Sequence, residues 1–254
     1  MLRESLMKHQ HEKGFRWRGG EIARIEGLSD AVFAFAVTLL VVSLEVPKTF
    51  TELALVMRGF FPFAVCFALL MQVWYEQYRY YRRYNLQDPY STFLNCVLLF
   101  LVLFYVYPLK FLFTVLVNEW MGFGTRVQLP NGHWENMIER NQFPRLMAIF
   151  SAGYIAVSVI FILLFVHALR KREALELEER EIFATKTTIG AAFINVTAGL
   201  ASLSVALLAP ARYAGFAGIV YPIILTPGFT IYHAIRGSRM ARFDDKPKEP
   251  EILE

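Results

Sequence analysis

The residues best equipped for chemistry sit where charge is expensive to keep. Arg24, Glu26, Ser29 and Asp30 open the stretch EIARIEGLSDAVFAFAVTLLVVSLEV, which from Ala31 onward is apolar except for Thr38, Ser43 and Glu45. An ionisable side chain deep in a membrane span costs about 2.5 kcal/mol or more, so such groups face protein or water. Asp30 is the deepest of the four. At about 100° per residue it projects from a different face than Arg24, which predicts a bond to another helix or another subunit. Two other roles are open to the same residues: an intramembrane carboxylate is what a proton relay requires, and charges at headgroup depth set topology. Further along, Phe35, Leu39, Val42 and Val46 follow a 4-3-4 spacing that keeps them on one helix face, with Thr38 on its flank. Such a stripe faces lipid, a packed neighbour or an aqueous path.

The elements that must position these groups follow from composition. Of 254 residues, 56% are hydrophobic and 15% aromatic, and the mean hydropathy is +0.38, too apolar for a soluble domain. The expected fold class is an all-α integral membrane protein with six transmembrane helices per subunit. They run over about 21–46, 51–77, 89–118, 145–169, 187–209 and 215–235. Pro47 stops the first, Pro62 is a candidate kink in the second, and Asp88-Pro89 reads as the start of the third, where Lys110 can snorkel to an interface. Residues 119–144 hold Gly, Pro and Asn-Gly turn signals with Trp120 and Trp134 and form the long external loop. The charged RKREALELEEREIFATK stretch is a cytoplasmic linker that prolongs the fourth helix. In the fifth span Ala198-x-x-x-Ser202 permits close helix approach, and Asn195 bonds across it. The organisation expected is a cytoplasmic N-terminal segment over 1–20, a six-helix membrane domain over 21–236 and a disordered cytoplasmic tail over 237–254.

Charge excludes some functions and orients the rest. The net charge of +4 and pI near 9.0 come from short basic clusters beside apolar runs, a membrane-topology pattern rather than a nucleic-acid surface. With both termini cytoplasmic, 19 of the 26 Lys and Arg fall on the inner side, as the positive-inside rule demands. The polar, basic residues 1–20 are expected to be neither a signal peptide nor an anchor. Cys66 and Cys96 lie in spans and act as small apolar residues. His9, His11, His133, His167 and His233 form no HExxH or Cys/His cluster, so no metal or cofactor is expected. No Gly-x-Ser-x-Gly, Walker A or dinucleotide-binding context occurs, and enzyme function has no support in the sequence.

The run Arg24-x-x-x-Leu28-Ser29-Asp30, continuing into AVFAFAVTLLVVSLEVP, resembles the signature of the transmembrane protein 175 potassium-channel family, Arg-x-x-x-Phe-Ser-Asp leading an apolar first helix. Leu28 replaces the signature phenylalanine. Six spans in about 250 residues resemble the single-repeat prokaryotic members. The resemblance implies a homotetramer in a prokaryotic inner membrane, in contact with lipid and conducting monovalent cations, with the first helix of each subunit lining a central pore. It places the constriction at Phe35, where the family usually has Ile or Leu, a selectivity layer at Thr38, and the rest of the apolar wall at Leu39 and Val42. Arg24, Leu28, Ser29 and Asp30 become a signature network that holds the helix in register. An apolar ring gates by dewetting, and a threonine hydroxyl ring partly replaces ion hydration. No TVGYG filter is present, so a modest potassium preference is expected. Glu45 then either concentrates cations at the external mouth or is an ordinary solvated helix end. The readings from other classes are a proton-coupled carrier in which Asp30 titrates and a non-conducting scaffold sealed at Phe35.

Overall fold

The computed structural model describes residues 15–19, 22–42, 47–128, 132–210, 213 and 215–244. Glu45, Val46, His9 and His11 lie outside them, as does the side chain of Val42. The elements are α1 (Arg24–Val42), α2 (Phe50–Arg58), α3 (Phe60–Tyr84), α4 (Pro89–Trp120), β1 (Arg126–Gln128), β2 (Trp134–Asn136), α5 (Phe143–Arg170), α6 (Glu179–Leu208) and α7 (Phe216–Asp244).

Local chemistry explains most of the boundaries. Thr49 caps α2 by accepting from the Glu52 amide at 3.1 Å, while Glu52 Oε2 accepts from the Lys48 amide. Asp88 caps α4 through the Tyr90 and Ser91 amides, and Pro89 takes the first helical position, where its missing N–H costs nothing. Glu178 and Glu181 close a reciprocal box at the start of α6. α3 ends at Asn85, held at φ 48°, a left-handed conformation that asparagine tolerates better than most residues.

Three boundaries differ from expectation. The second span breaks between α2 and α3 at Gly59; Pro62 sits in the first turn of α3 and breaks no hydrogen bond there. The charged linker does not prolong α5: Lys171 ends that helix, and the second half of the linker becomes the first two turns of α6 because the Glu178–Glu181 box nucleates it. The tail expected to be disordered from residue 237 is helical as far as Asp244. Within the segment between α4 and α5, β1 and β2 pair as an antiparallel hairpin, Val127 opposite Glu135.

Among the described residues four helices, α4 to α7, are long and apolar enough to cross a membrane, or five spans if α2 and α3 count as one broken span. α1, with Arg24, Glu26 and Asp30 among its 19 residues, is the remaining expected span. α1 packs on α3 and α4, which also pack on each other, and α5 joins α4 to a layer continued by α6 and α7. Phe33, Ala36 and Leu40 of α1 bury against Cys66, Leu70, Leu99 and Val106. An aromatic cluster of Phe15, Tyr80, Tyr84 and Phe165 fills the end where the basic residues collect. In the α5–α6 seam, Ala198 and Ser202 are fully buried and Tyr154 donates to Asn195 Oδ1 at 2.8 Å, as the small-residue pattern predicts.

Candidate functional site

α1 has two unlike faces. Its residues Ser29, Phe33, Ala36 and Leu40 are buried, whereas Leu28, Ala31, Ala34, Phe35, Thr38 and Val41 are exposed in the single chain. At about 100° per residue the exposed set fills one arc centred on Thr38, with Phe35 on one flank and Val41 on the other. That arc carries two alanines, three larger apolar side chains (Leu28, Phe35 and Val41) and one hydroxyl. Thr38 returns its hydroxyl to the Ala34 carbonyl at 2.9 Å, which satisfies the donor and leaves the oxygen lone pairs facing outward. Leu39, expected on the same stripe, is half-buried against the core cluster of α3 and α4. Its place on the open face is taken by Val41, 45% exposed.

The buried face is bolted down by polar contacts. Ser29 Oγ donates to the Ile25 carbonyl at 2.7 Å and accepts from Asn95 Nδ2 at 3.0 Å; Asn95 Oδ1 in turn accepts from Gln77 Nε2 at 2.7 Å. All three residues are buried, so the chain ties α1 to α4 and α3 through amides that have no access to water. One residue further on, Asp30 Oδ1 accepts from the Trp74 indole N–H at 2.8 Å, a bond to another helix and not to Arg24. Arg24 is exposed and forms no ion pair with a described residue. Glu26, 7% exposed, faces Arg82 of α3 at 3.8 Å. At the opposite end, Lys110 Nζ donates to the Leu40 carbonyl at 2.6 Å, supplying a cation to the last-turn carbonyls of α1. Lys110 is therefore a cap for α1 rather than a side chain extended to the interface.

A second clamp lies at the basic end. Residues 15–19, part of the expected N-terminal segment, cross the ends of α3 and α6: the Arg18 and Gly19 amides both donate to the Arg82 carbonyl. Arg18 meets Glu181 at 2.6 Å, with side chains only 10% and 2% exposed, and Phe15 enters the aromatic cluster. Asp88 receives His167 at 3.0 Å and Lys171 at 3.3 Å, pinning the start of α4 to the end of α5.

These anchors were not identified from the sequence. Gln77 and Asn95 carried a signal, being amides inside apolar spans, where an unpaired amide is costly. Lys110 stood out as a cation inside an apolar span, though nothing named its partner, and Trp74 and the Arg18–Glu181 pair carried no signal, because the partners are far apart in the chain. Among the described residues no group of three His, Cys, Asp or Glu side chains could hold a metal ion. What the arrangement offers is a helix anchored on one side that presents an open, largely apolar face with one hydroxyl to whatever lies beside it.

A family model described as the endosomal/lysosomal potassium channel TMEM175 matches residues 24–105, which contain α1 and all of its anchors except the Lys110 cap. A potassium channel of Marivirga tractuosa is 38% identical over 196 residues, 77% of this chain and 79% of that protein. A potassium channel of Chamaesiphon minutus is 30% identical over 106 residues, 39% of this chain and 52% of that one. The crystal structure of a variant of the potassium channel MtTMEM175, bound to a nanobody–MBP fusion, superposes with a TM-score of 0.76 at 33% identity, covering 90% of this chain and 99% of that chain. A lysosomal potassium-selective channel TMEM175 homolog from Chamaesiphon minutus shares the fold, with a TM-score of 0.52 at 19% identity over 84% of this chain and 96% of that one.

Proposed function

Because the chain belongs to the TMEM175 potassium-channel family, we propose that it is a potassium-preferring cation channel in a prokaryotic inner membrane, a homotetramer of six-span subunits with α1 of each lining a central pore. The observation that carries this reading is the asymmetry of α1. One face is held by Asn95, Trp74 and Lys110, and the other is open, lined by Leu28, Ala31, Ala34, Phe35 and Val41 with the Thr38 hydroxyl at its centre.

Four copies of that face around an axis give a ring of Phe35 side chains and, one turn toward the outside, a ring of Thr38 hydroxyls. The phenyl ring is the barrier: an ion stripped of water gains nothing from hydrocarbon, so a narrow apolar ring closes by dewetting. The threonine ring offers oxygens that stand in for hydration, and with no backbone-carbonyl filter behind it the preference for potassium over sodium is modest. Val41 continues the wall, with Leu39 set behind it. Arg24 and Leu28, exposed in the single chain, face neighbouring subunits at the inner mouth. In this reading Glu45 belongs to the outer mouth, where four carboxylates would raise local cation concentration. Asp30, tied to Trp74, is a register pin in this reading and carries no protons.

The test is potassium flux into liposomes holding the purified protein, with sodium as competitor. Flux that rises in Phe35→Ala, and loses its potassium preference in Thr38→Ala, supports the pore. Flux that is saturable, requires a proton gradient and stops in Asp30→Asn would replace the channel by a carrier, and absence of flux in wild type and in Phe35→Ala would replace it by a scaffold.

A further inference from the structure

A crevice of 860 Å³ opens on the side of the bundle away from α1, none of whose residues line it. Its walls come from α3 to α7, and along α4 it runs from Leu101 to Leu116, about 22 Å at 1.5 Å per residue, most of the depth of a hydrocarbon core of about 30 Å. The two ends differ chemically. The outer and middle walls are aliphatic and aromatic, built around Leu109, Phe113, Phe150 and Val157. Among the polar groups of that stretch, Tyr154 is paired with Asn195.

The inner end is basic. Arg79 and Arg83 from the last turns of α3 and Arg236 from α7 all line it, against one carboxylate among the described lining residues, Glu76, which meets Arg79 at 2.9 Å. Arg236 is held by ring faces, its guanidinium carbon 4.9 Å from the Phe183 ring centre and 5.5 Å from that of Tyr232, which leaves the edge N–H groups directed along the plane. The basic end is where Arg82, Arg170, Lys171 and Lys186 also collect, the side assigned to the cytoplasm by the positive-inside rule.

We infer that this crevice binds an anionic glycerophospholipid of the inner leaflet, acyl chains along Leu101, Val157 and Phe113 and headgroup phosphate at Arg79 and Arg236. Charge complementarity selects the occupant: an apolar trench longer than one leaflet is deep takes hydrocarbon, and arginines outnumbering carboxylate among the described residues of its inner mouth take phosphate. The inference does not depend on conduction, and a failure of either reading leaves the other standing.

The experiment is native mass spectrometry of the full-length protein, delipidated in detergent and titrated with phosphatidylglycerol or phosphatidylcholine. Wild type is expected to hold phosphatidylglycerol adducts preferentially. The double variant Arg79→Gln/Arg236→Gln should bind them about thirtyfold more weakly, roughly fivefold per basic charge near the surface. Val157→Trp, which fills the apolar wall and leaves the arginines intact, should also lose the adducts. Arg172→Gln, in the exposed turn after α5, should keep them and so controls for general loss of charge. Equal binding of the two lipids, retention in the double variant, or displacement by inorganic phosphate alone at millimolar concentration would each overturn the proposal. So would an absence of adducts in wild type combined with dissociation of the oligomer by Val157→Trp, since the crevice would then hold a second copy of the chain.

Discussion

Replacing Asn95 by leucine tests whether α1 is held by the buried amide chain. The side chains are close in volume, so little cavity is made and the effect isolates hydrogen bonding. Two bonds disappear, the 2.7 Å bond from Gln77 and the 3.0 Å bond to Ser29. Interhelical bonds in membranes contribute about 0.6 kcal/mol each on average and at most about 1.7. Gln77, 2% exposed, is then left with a buried donor and no partner, a penalty of about 1–3 kcal/mol. Ser29 suffers less because it still donates to Ile25. The expected loss is about 2–4 kcal/mol in detergent-micelle unfolding followed by tryptophan fluorescence. Ser29→Ala should cost about 1 kcal/mol. The decisive comparison is Gln77→Leu/Asn95→Leu, which removes the orphan and should be more stable than Asn95→Leu alone by about 1 kcal/mol or more. A double variant as unstable as the sum of the two singles, or an Asn95→Leu variant within about 0.5 kcal/mol of wild type, would refute the argument, the latter bound being what an uninvolved site shows.

Three further outcomes are expected. Glu181→Ala strands Arg18 in a nearly closed site and should lower stability by about 3–5 kcal/mol, read from thermal unfolding, whereas replacing both partners by apolar residues should cost much less. Burial alone would raise the Asp88 carboxyl, but hydrogen bonds from His167, the Ser91 amide and Lys171 outweigh it and hold the group well below the usual carboxylate range. Its stabilising contribution is therefore complete above the unfolded value, about pH 3.9, and is lost as pH falls below it, so acid unfolding should lose part of its pH slope in Asp88→Asn. Gly153→Ala drives a methyl group into the Tyr105 ring and should destabilise the α4–α5 seam by about 1–3 kcal/mol in the same unfolding assay, an effect that Tyr105→Leu should partly reverse.

Much of this was legible in the chain. The start of α4 was legible because Asp88-Pro89 combines a cap acceptor with a residue that needs no donor, and both consequences are local. The small-residue face of α6 was legible for the same kind of reason: Ala198 and Ser202 lie one turn apart whatever surrounds them. The separate role of Asp30 followed from helical angle alone, and Trp74 supplied the partner on another helix. The division of the 170–186 linker was not legible, since a run of Glu, Lys and Arg suits helix on either side and the choice turns on one capping box. Leu39 was placed on the open stripe because a 4-3-4 spacing marks a face of about 40° without saying which way that face points; packing of Phe33, Ala36 and Leu40 against α3 and α4 rotated it so that Thr38 is central.

By itself the sequence determined the solvent this protein lives in, the approximate apolar spans and the helix that carries the family signature. These are properties of apolar run length and residue spacing, each readable within a few turns of helix. Only the tertiary structure decided which residues hold that helix, how it is rotated, and that a basic-ended crevice lies behind it. Asn95 finds Ser29 across 66 positions and Arg18 finds Glu181 across 163. A hydrogen bond between such partners depends on where whole helices come to rest, and that is set by the summed burial of the bundle, not by the neighbours of either residue.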